Sequence, residues 1–225
     1  MSKNNTQVNS RLIFENAKQI ITAAGLTLND AKLTNSDLRL EQQAVTGKTQ
    51  FQFPVLTNNN GPANSLFNTE IRLNQQDSFV ASAWGFFISK PSSVSDATYI
   101  LHTYPNPVTF STVGVAAAAE TLYNSTFSIA VNNDIVMPVL STRRFRAVPQ
   151  SQAQTGAANA NNIAYDQIDL TSDGFNILEP NILFIGSKNT VINLNLPAGL
   201  AAVETNQRMH IIYEGVLAQN STIIT

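Results

Sequence analysis

Ser125-Thr126-Phe127-Ser128-Ile129-Ala130-Val131 is the stretch that decides how the chain reads. Phe127, Ile129 and Val131 take every second position, with small or polar residues between them. That is the period of a half-buried β-strand. Asn132-Asn133-Asp134 follows at once as a breaker, and residues 135–140 resume a β-prone run.

The same alternation recurs in residues 190–196, through Ile192, Leu194 and Leu196. Residues 50–56 set Phe51, Phe53 and Val55 against Gln50 and Gln52. Residues 78–89 make a longer run carrying Phe79, Val80, Trp84, Phe86, Phe87 and Ile88. Further strands are predicted at 69–74, 99–104, 145–148, 167–170, 175–178, 182–185 and 208–218, with weaker signals at 27–28 and 38–40. Breakers such as Asn60-Gly61-Pro62, Pro105-Asn106-Pro107 and Pro197-Ala198-Gly199 separate them. Many short strands at near-regular spacing predict an all-β sandwich or jelly roll. No helix alternates with the strands, which argues against a parallel α/β sheet.

Three segments read differently. In residues 10–26, Ile13, Ala17, Ile20, Ile21 and Ala24 recur at helical spacing, with Asn9 or Ser10 as N-cap and Gly25 at the stop. This helix either packs on its own domain or reaches a neighbouring subunit or an internal membrane. Its basic residues Arg11 and Lys18 permit the second role. Residues 114–122 hold four consecutive alanines and a glutamate, good helix formers. Residues 151–162 are rich in Gln, Ala and Asn and read as a long surface loop. Counted generously, eight strands precede the alanine run and eight follow it, and eight strands make one jelly roll.

Composition narrows the function. The chain has 225 residues, enough to bury a large core, and no cysteine for disulfides or thiolate metal sites. Only 12% of residues are charged, half the usual share, and the net charge is -2. Specific nucleic-acid binding is not expected of such a surface. Neutral polar groups repel one another little, which suits self-association. No signal segment precedes the helix, and the longest apolar runs are far shorter than the roughly 20 residues of a membrane span.

Each candidate for chemistry has a plainer structural reading. Gly47-Lys48-Thr49 lacks the first glycine of a phosphate-binding loop, since position 42 is Gln. His102 and His210 are the only histidines, and neither has further ligands at metal-site spacing. No G-x-S-x-G elbow is present. Asp166, Asp169 and Glu179 are the nearest acidic group, and they read as solvated strand ends. Trp84 reads as core. Arg143, Arg144 and Arg146 form the one basic cluster, either a charged strand edge or a contact with another subunit or an anionic surface. On a strand, Arg144 and Arg146 would share one face and Phe145 the other. No catalytic residue, cofactor or metal site is expected. The reading is a structural protein that assembles with copies of itself, not an enzyme.

Several segments resemble those of major capsid proteins from tailless, membrane-containing icosahedral phages, most of all single-stranded DNA phages of flavobacteria. They are Glu70-Ile71-Arg72-Leu73-Asn74-Gln75-Gln76-Asp77-Ser78-Phe79 with Trp84-Gly85-Phe86-Phe87-Ile88, Leu101-His102-Thr103-Tyr104-Pro105-Asn106, Leu122-Tyr123-Asn124-Ser125-Thr126-Phe127-Ser128-Ile129, and Arg144-Phe145-Arg146-Ala147-Val148-Pro149-Gln150. The resemblance is diffuse and spans residues 50–217. It implies a double jelly roll, two upright eight-stranded sandwiches, with three subunits forming a pseudo-hexagonal capsomer of an icosahedral shell. The domains would then be a helical arm at 1–25, a first jelly roll at 26–113, and a linker helix with the second jelly roll at 114–225. A single jelly roll with long strands is the alternative fold. Implied partners are further copies of the chain, other virion proteins such as penton or spike, and an internal lipid membrane. The implied location is the virion, after synthesis in the host cytoplasm. Arg11, Lys18, Arg143, Arg144 and Arg146 are the candidate subunit or membrane contacts. The competing function is a receptor- or carbohydrate-binding sandwich of a spike or tail.

Overall fold

The computed structural model describes residues 3–55, 73–93, 96, 99–148, 151–153, 163–165 and 174–221. Two helices and ten strands appear among them: α1 (Lys3–Ala23), β1 (Lys32–Gln43), β2 (Gln50–Pro54), β3 (Ser78–Ser89), α2 (Val115–Tyr123), β4 (Thr126–Val131), β5 (Asp134–Ser141), β6 (Ser151–Ala153), β7 (Ile163–Tyr165), β8 (Phe175–Ile185), β9 (Thr190–Asn195) and β10 (Arg208–Gln219). A short 3-10 helix covers Thr142–Phe145.

Eight of the strands make two four-stranded antiparallel sheets, ordered β1-β10-β3-β8 and β2-β9-β4-β5. Strands β6 and β7 pair apart from these. The pairing is nested. The first strand pairs the last (β1–β10), then β2–β9, then β3–β8, and β4–β5 closes the centre as a hairpin. That hairpin turns on Asn132 and Asn133, both at positive φ (49° and 73°). Asparagine tolerates this conformation, and a two-residue loop of that hand matches strand twist.

The sheets face each other across one core. Leu40 of β1, Phe86 of β3, Phe184 of β8 and Ile211 of β10 meet Phe53 of β2, Phe127 of β4 and Ile192 of β9. Helix α2 closes one side of this core with Val115, Ala119 and Leu122. The chain is thus an all-β sandwich. Each sheet draws strands from both sides of residue 114, so the described strands do not divide there into two eight-stranded sandwiches. They form one, as in the single-sandwich alternative.

Strand β3 faces the core with Phe79 and Ala81, then with Trp84, Phe86 and Ile88. The change of parity is a bulge: Glu214 and Gly215 of β10 pair Ala83 and Ala81, leaving Ser82 over. One extra residue flips every later side chain to the other face. A Cβ on Gly215 would overlap the Val80 carbonyl oxygen, so the close approach at the bulge requires glycine.

The other face of the β1-β10-β3-β8 sheet receives α1. Ala17 and Ile21 are buried there against Val80, Val216 and Ala218. Gly25 at φ 77° stops the helix, and the Leu26 amide donates to the Ile21 carbonyl at 3.2 Å. The helix begins at Lys3, a full two turns before the expected start at residue 10. Its C-terminal half packs on its own domain.

Other expectations are corrected. Residues 145–148 are not a strand: Phe145 ends the 3-10 helix, and 146–148 are irregular. Residues 99–104 contribute only a bridge between His102 and Ile88. The two strands predicted at 175–178 and 182–185 are one, β8. The loop expected at 151–162 begins with β6. Strand β1 runs 12 residues where only 38–40 gave a signal. The strand predicted at 167–170 lies outside the described residues, and so does most of 69–74.

Candidate functional site

The sandwich has two flanks. On one, β1 and β2 follow each other and lie in contact. On the other, the outermost strands β5 and β8 stand apart, and a cleft of about 920 Å³ opens between the sheets. Its walls are aliphatic: Ile129, Val136, Met137 and Leu140 from one sheet, Ile177, Leu178 and Ile182 from the other. Arg144, Glu179 and Lys188 are its charged residues, all three exposed.

Local sequence opens this flank. Strand β8 pairs β3 at Ile182 and again at Ile177, with only Ser82 opposite the intervening Leu178–Asn181. Pro180 has no N–H to give to a ladder, so the strand bows out there. Strand β5 is nearly all exposed, and its ladder with β4 slips twice around Pro138. Ile135, Val136 and Val139 of β5 and Ile177 of β8 leave their side chains largely in water.

The five basic residues proposed as contacts do not converge. Arg11 lies in α1 and its side chain falls outside the described residues. Lys18 is on the solvent side of α1, bonded to Glu15 at 3.0 Å. Arg143 is exposed on the 3-10 helix. Arg146 makes a bidentate pair with Glu120 of α2 at 2.8 and 2.7 Å. It anchors the end of the 3-10 helix to α2, and such half-exposed pairs contribute little to stability. Arg144 alone reaches the cleft. The 3-10 geometry explains the scatter. Three residues per turn send Arg143 and Arg144 to different sides and bury Phe145, where a strand would have aligned Arg144 with Arg146.

A second polar group lies on the outer face of the β1-β10-β3-β8 sheet, toward the end away from α1. Glu41 of β1 and Arg208 of β10 are buried and paired at 2.8 Å. The Tyr99 hydroxyl donates to Glu41 at 3.2 Å and accepts from Arg39 at 3.1 Å. The Tyr99 ring stacks on buried His210, which meets the Ser89 hydroxyl at 2.7 Å. Burial raises the Glu41 pKa against the pull of Arg208. Burial, then the Glu41 charge, pushes Tyr99 up to about 12. Burial, then Arg39 and Arg208, holds His210 well below its ordinary value. A carboxylate so enclosed clamps the segment through Tyr99 across the sheet. Strand alternation sets Arg39 and Glu41 on the face opposite Leu38 and Leu40, and Tyr99 reaches them from 60 and 58 positions along the chain.

The neutral His210 makes stability depend on pH. Its folded pKa lies below that of the unfolded chain, so acid protonates the unfolded state first. Stability is therefore fully present above about pH 6.5 and falls as pH drops below it. His102, also lowered by burial, adds with the same sign. Glu41 is raised and adds with the opposite sign above its unfolded value of 4.5. The His210 share is isolated by difference. His210→Gln is expected to show a flatter loss of stability between pH 7 and 5 than the parent in urea titrations. Parallel curves would mean that His210 takes a proton without unfolding.

The remaining sequence candidates lie at separate places in the fold. Gly47 sits in a turn at φ 80°, and Lys48 lies over the Phe51 ring at 5.7 Å. Trp84 is fully buried. Glu179 lines the cleft, while Asp166 and Asp169 lie outside the described residues. Among the described residues no three His, Asp or Glu side chains converge as metal ligands, and no helix is long and apolar enough to cross a membrane. Compared with known proteins, the chain matches no family model, no curated protein and no solved structure.

Proposed function

We infer that the chain is a viral capsid protein, a single jelly roll that builds a shell by associating with copies of itself. The observation that carries this reading is the nested strand order, first with last and inward to a central hairpin. Two Greek keys wound together produce that order, and such eight-stranded jelly rolls serve as shell and lectin domains. Fold alone does not choose between these uses. The flank supports the first of them: its exposed surface is aliphatic, and among the described residues the cleft lining holds no aromatic ring for a sugar to stack on. The scarcity of charge, at 12% of residues, leaves little repulsion between copies.

The resemblance to phage capsid proteins implies a trimer as the building block. A pseudo-hexagonal outline from three chains needs two sandwiches per chain, and the described strands make one. The proposed trimer therefore has a three-fold outline, with larger rings and the shell formed by contacts between trimers. The virion is the proposed location, with penton or spike proteins and an internal membrane as further partners.

Sedimentation of the purified chain over a wide concentration range, followed by electron microscopy, tests this. Trimers, rings or shells are expected. A chain that stays monomeric at high concentration yet binds glycans on an array would overturn the reading in favour of a receptor-binding sandwich.

A further inference from the structure

We propose that the cleft between β5 and β8 is a binding site for one monomeric fatty acid, with its carboxylate at Lys188 and its chain laid along the slot toward Arg144. Such a site does not depend on self-assembly and would be filled in a monomer as in a shell.

The shape selects a chain. Strand β8 lines the cleft from Ile177 to Ile185, a run on the order of 25 Å at about 3.3 Å per residue. Facing sheets pack about 10 Å apart, so the slot is far longer than it is wide. Its volume of about 920 Å³ lies within the roughly 300–1,000 Å³ of small-molecule sites.

The lining selects an aliphatic chain. Its floor is continuous with the core, where Ile129 and Leu178 are buried and Met137 and Ile182 half-buried beside them. Among the described residues no aromatic ring lines the cleft, so a flat ring system finds nothing to stack on. A sugar or a nucleotide would leave most of its polar groups unpaired against these walls. An alkyl chain asks only for apolar surface, and both sheets supply it.

The charges select the head group and its direction. Arg144 and Lys188 line the cleft against a single acid, Glu179. The whole chain has the reverse balance, with 13 basic residues to 15 acidic ones. Among the described residues neither cation forms an ion pair. They stand at opposite ends of the slot. The Arg144 carbonyl accepts from the side chain of Asn176, at the start of β8, at 3.3 Å. Lys188 lies in the turn after β8, where its amide donates to the Ile185 carbonyl at 3.0 Å. Glu179 belongs to the half of β8 nearer Arg144, so an anionic head there would meet a like charge. At the Lys188 end no acid lines the cleft, and the carboxylate finds an unopposed ammonium.

Calorimetric titration of the purified chain with laurate and with dodecanol, both below their limits of aggregation, tests the site. One laurate per chain is expected, with dodecanol about tenfold weaker or more. Lys188→Glu should raise the laurate Kd about tenfold or more, Lys188→Arg should preserve it, and Arg144→Glu should change it less than about twofold. Val136→Asp, which puts a charge on the aliphatic wall, should weaken both ligands. All three positions are exposed, so thermal unfolding without ligand should match the parent and exclude misfolding. No saturable binding of laurate would overturn the proposal. Binding that Val136→Asp leaves unchanged would place the chain elsewhere and overturn the site. A Lys188→Glu variant that binds laurate like the parent would overturn the placement of the head. Binding to phosphatidylglycerol vesicles without binding of monomeric laurate would overturn the fatty acid as occupant and give the flank to a bilayer.

Discussion

Trp84→Ala is expected to lose about 3–5 kcal/mol of folding stability, the range for emptying a buried aromatic site. Domains of this kind hold about 5–15 kcal/mol in all, so the variant would sit near its unfolding threshold. Trp84 is fully buried where both sheets meet. Its ring stacks on Tyr213 of β10 at 5.3 Å and 14°, and meets Phe145 edge-on at 4.7 Å and 87°. Across the core it touches Phe127 of β4 at 5.3 Å. No single neighbour can relax into the space without losing another ring contact, so the cavity persists. Trp84→Phe should lose much less. It keeps an aromatic in the slot and removes an indole N–H that has no hydrogen-bond partner among the described residues. Urea unfolding of both variants measures the difference as a shift in midpoint at constant slope. A loss under about 1 kcal/mol for Trp84→Ala would mean the two sheets do not share a close-packed core at this point.

The same residue shows what sequence could and could not deliver. Its burial was legible, because aromatic side chains clustered within a β-prone run belong inside. Its facing was not. Phe79 and Trp84 have opposite parity, and only the extra residue Ser82 brings both to the core. A bulge is a property of two paired strands, so neither strand announces it alone. The division of the sheets has the same origin. Local alternation found β4, β9 and β10 close to their true limits, but it carries no information on partners. The first strand pairs the last across 165 residues or more, for example Lys32 with Gln219 and Gln43 with Arg208. Strand counting around the alanine run therefore suggested two sandwiches where the described strands nest into one. The candidate flank was half legible. Arg144 stood out by charge, and Glu179 was noted only as an acid. The exposed aliphatics of β5 read as ordinary strand residues, because exposure at a sheet edge depends on which strand has no neighbour.

Glu41→Ala is expected to cost about 3–5 kcal/mol, out of proportion to the few atoms removed. Its partner Arg208 is 1% exposed and held at 2.8 Å. Deleting the carboxylate removes the opposite charge that balances this buried guanidinium. Tyr99 loses the acceptor that clamps it over the face, and Arg39 is left beside the same hole. The double variant Glu41→Leu with Arg208→Met is expected to be near neutral, or even more stable than the parent. It removes both desolvated charges together and keeps the volume. The contrast between single and double separates two roles for the pair. If stranded charge is the cause, the double recovers most of the loss, and a urea series on the four members of the cycle gives the coupling directly. A double variant as damaged as Glu41→Ala would mean instead that the clamp on Tyr99 carries the stability. Tyr99→Phe, which keeps the ring stacked on His210 but removes the hydroxyl, should then reproduce much of the loss.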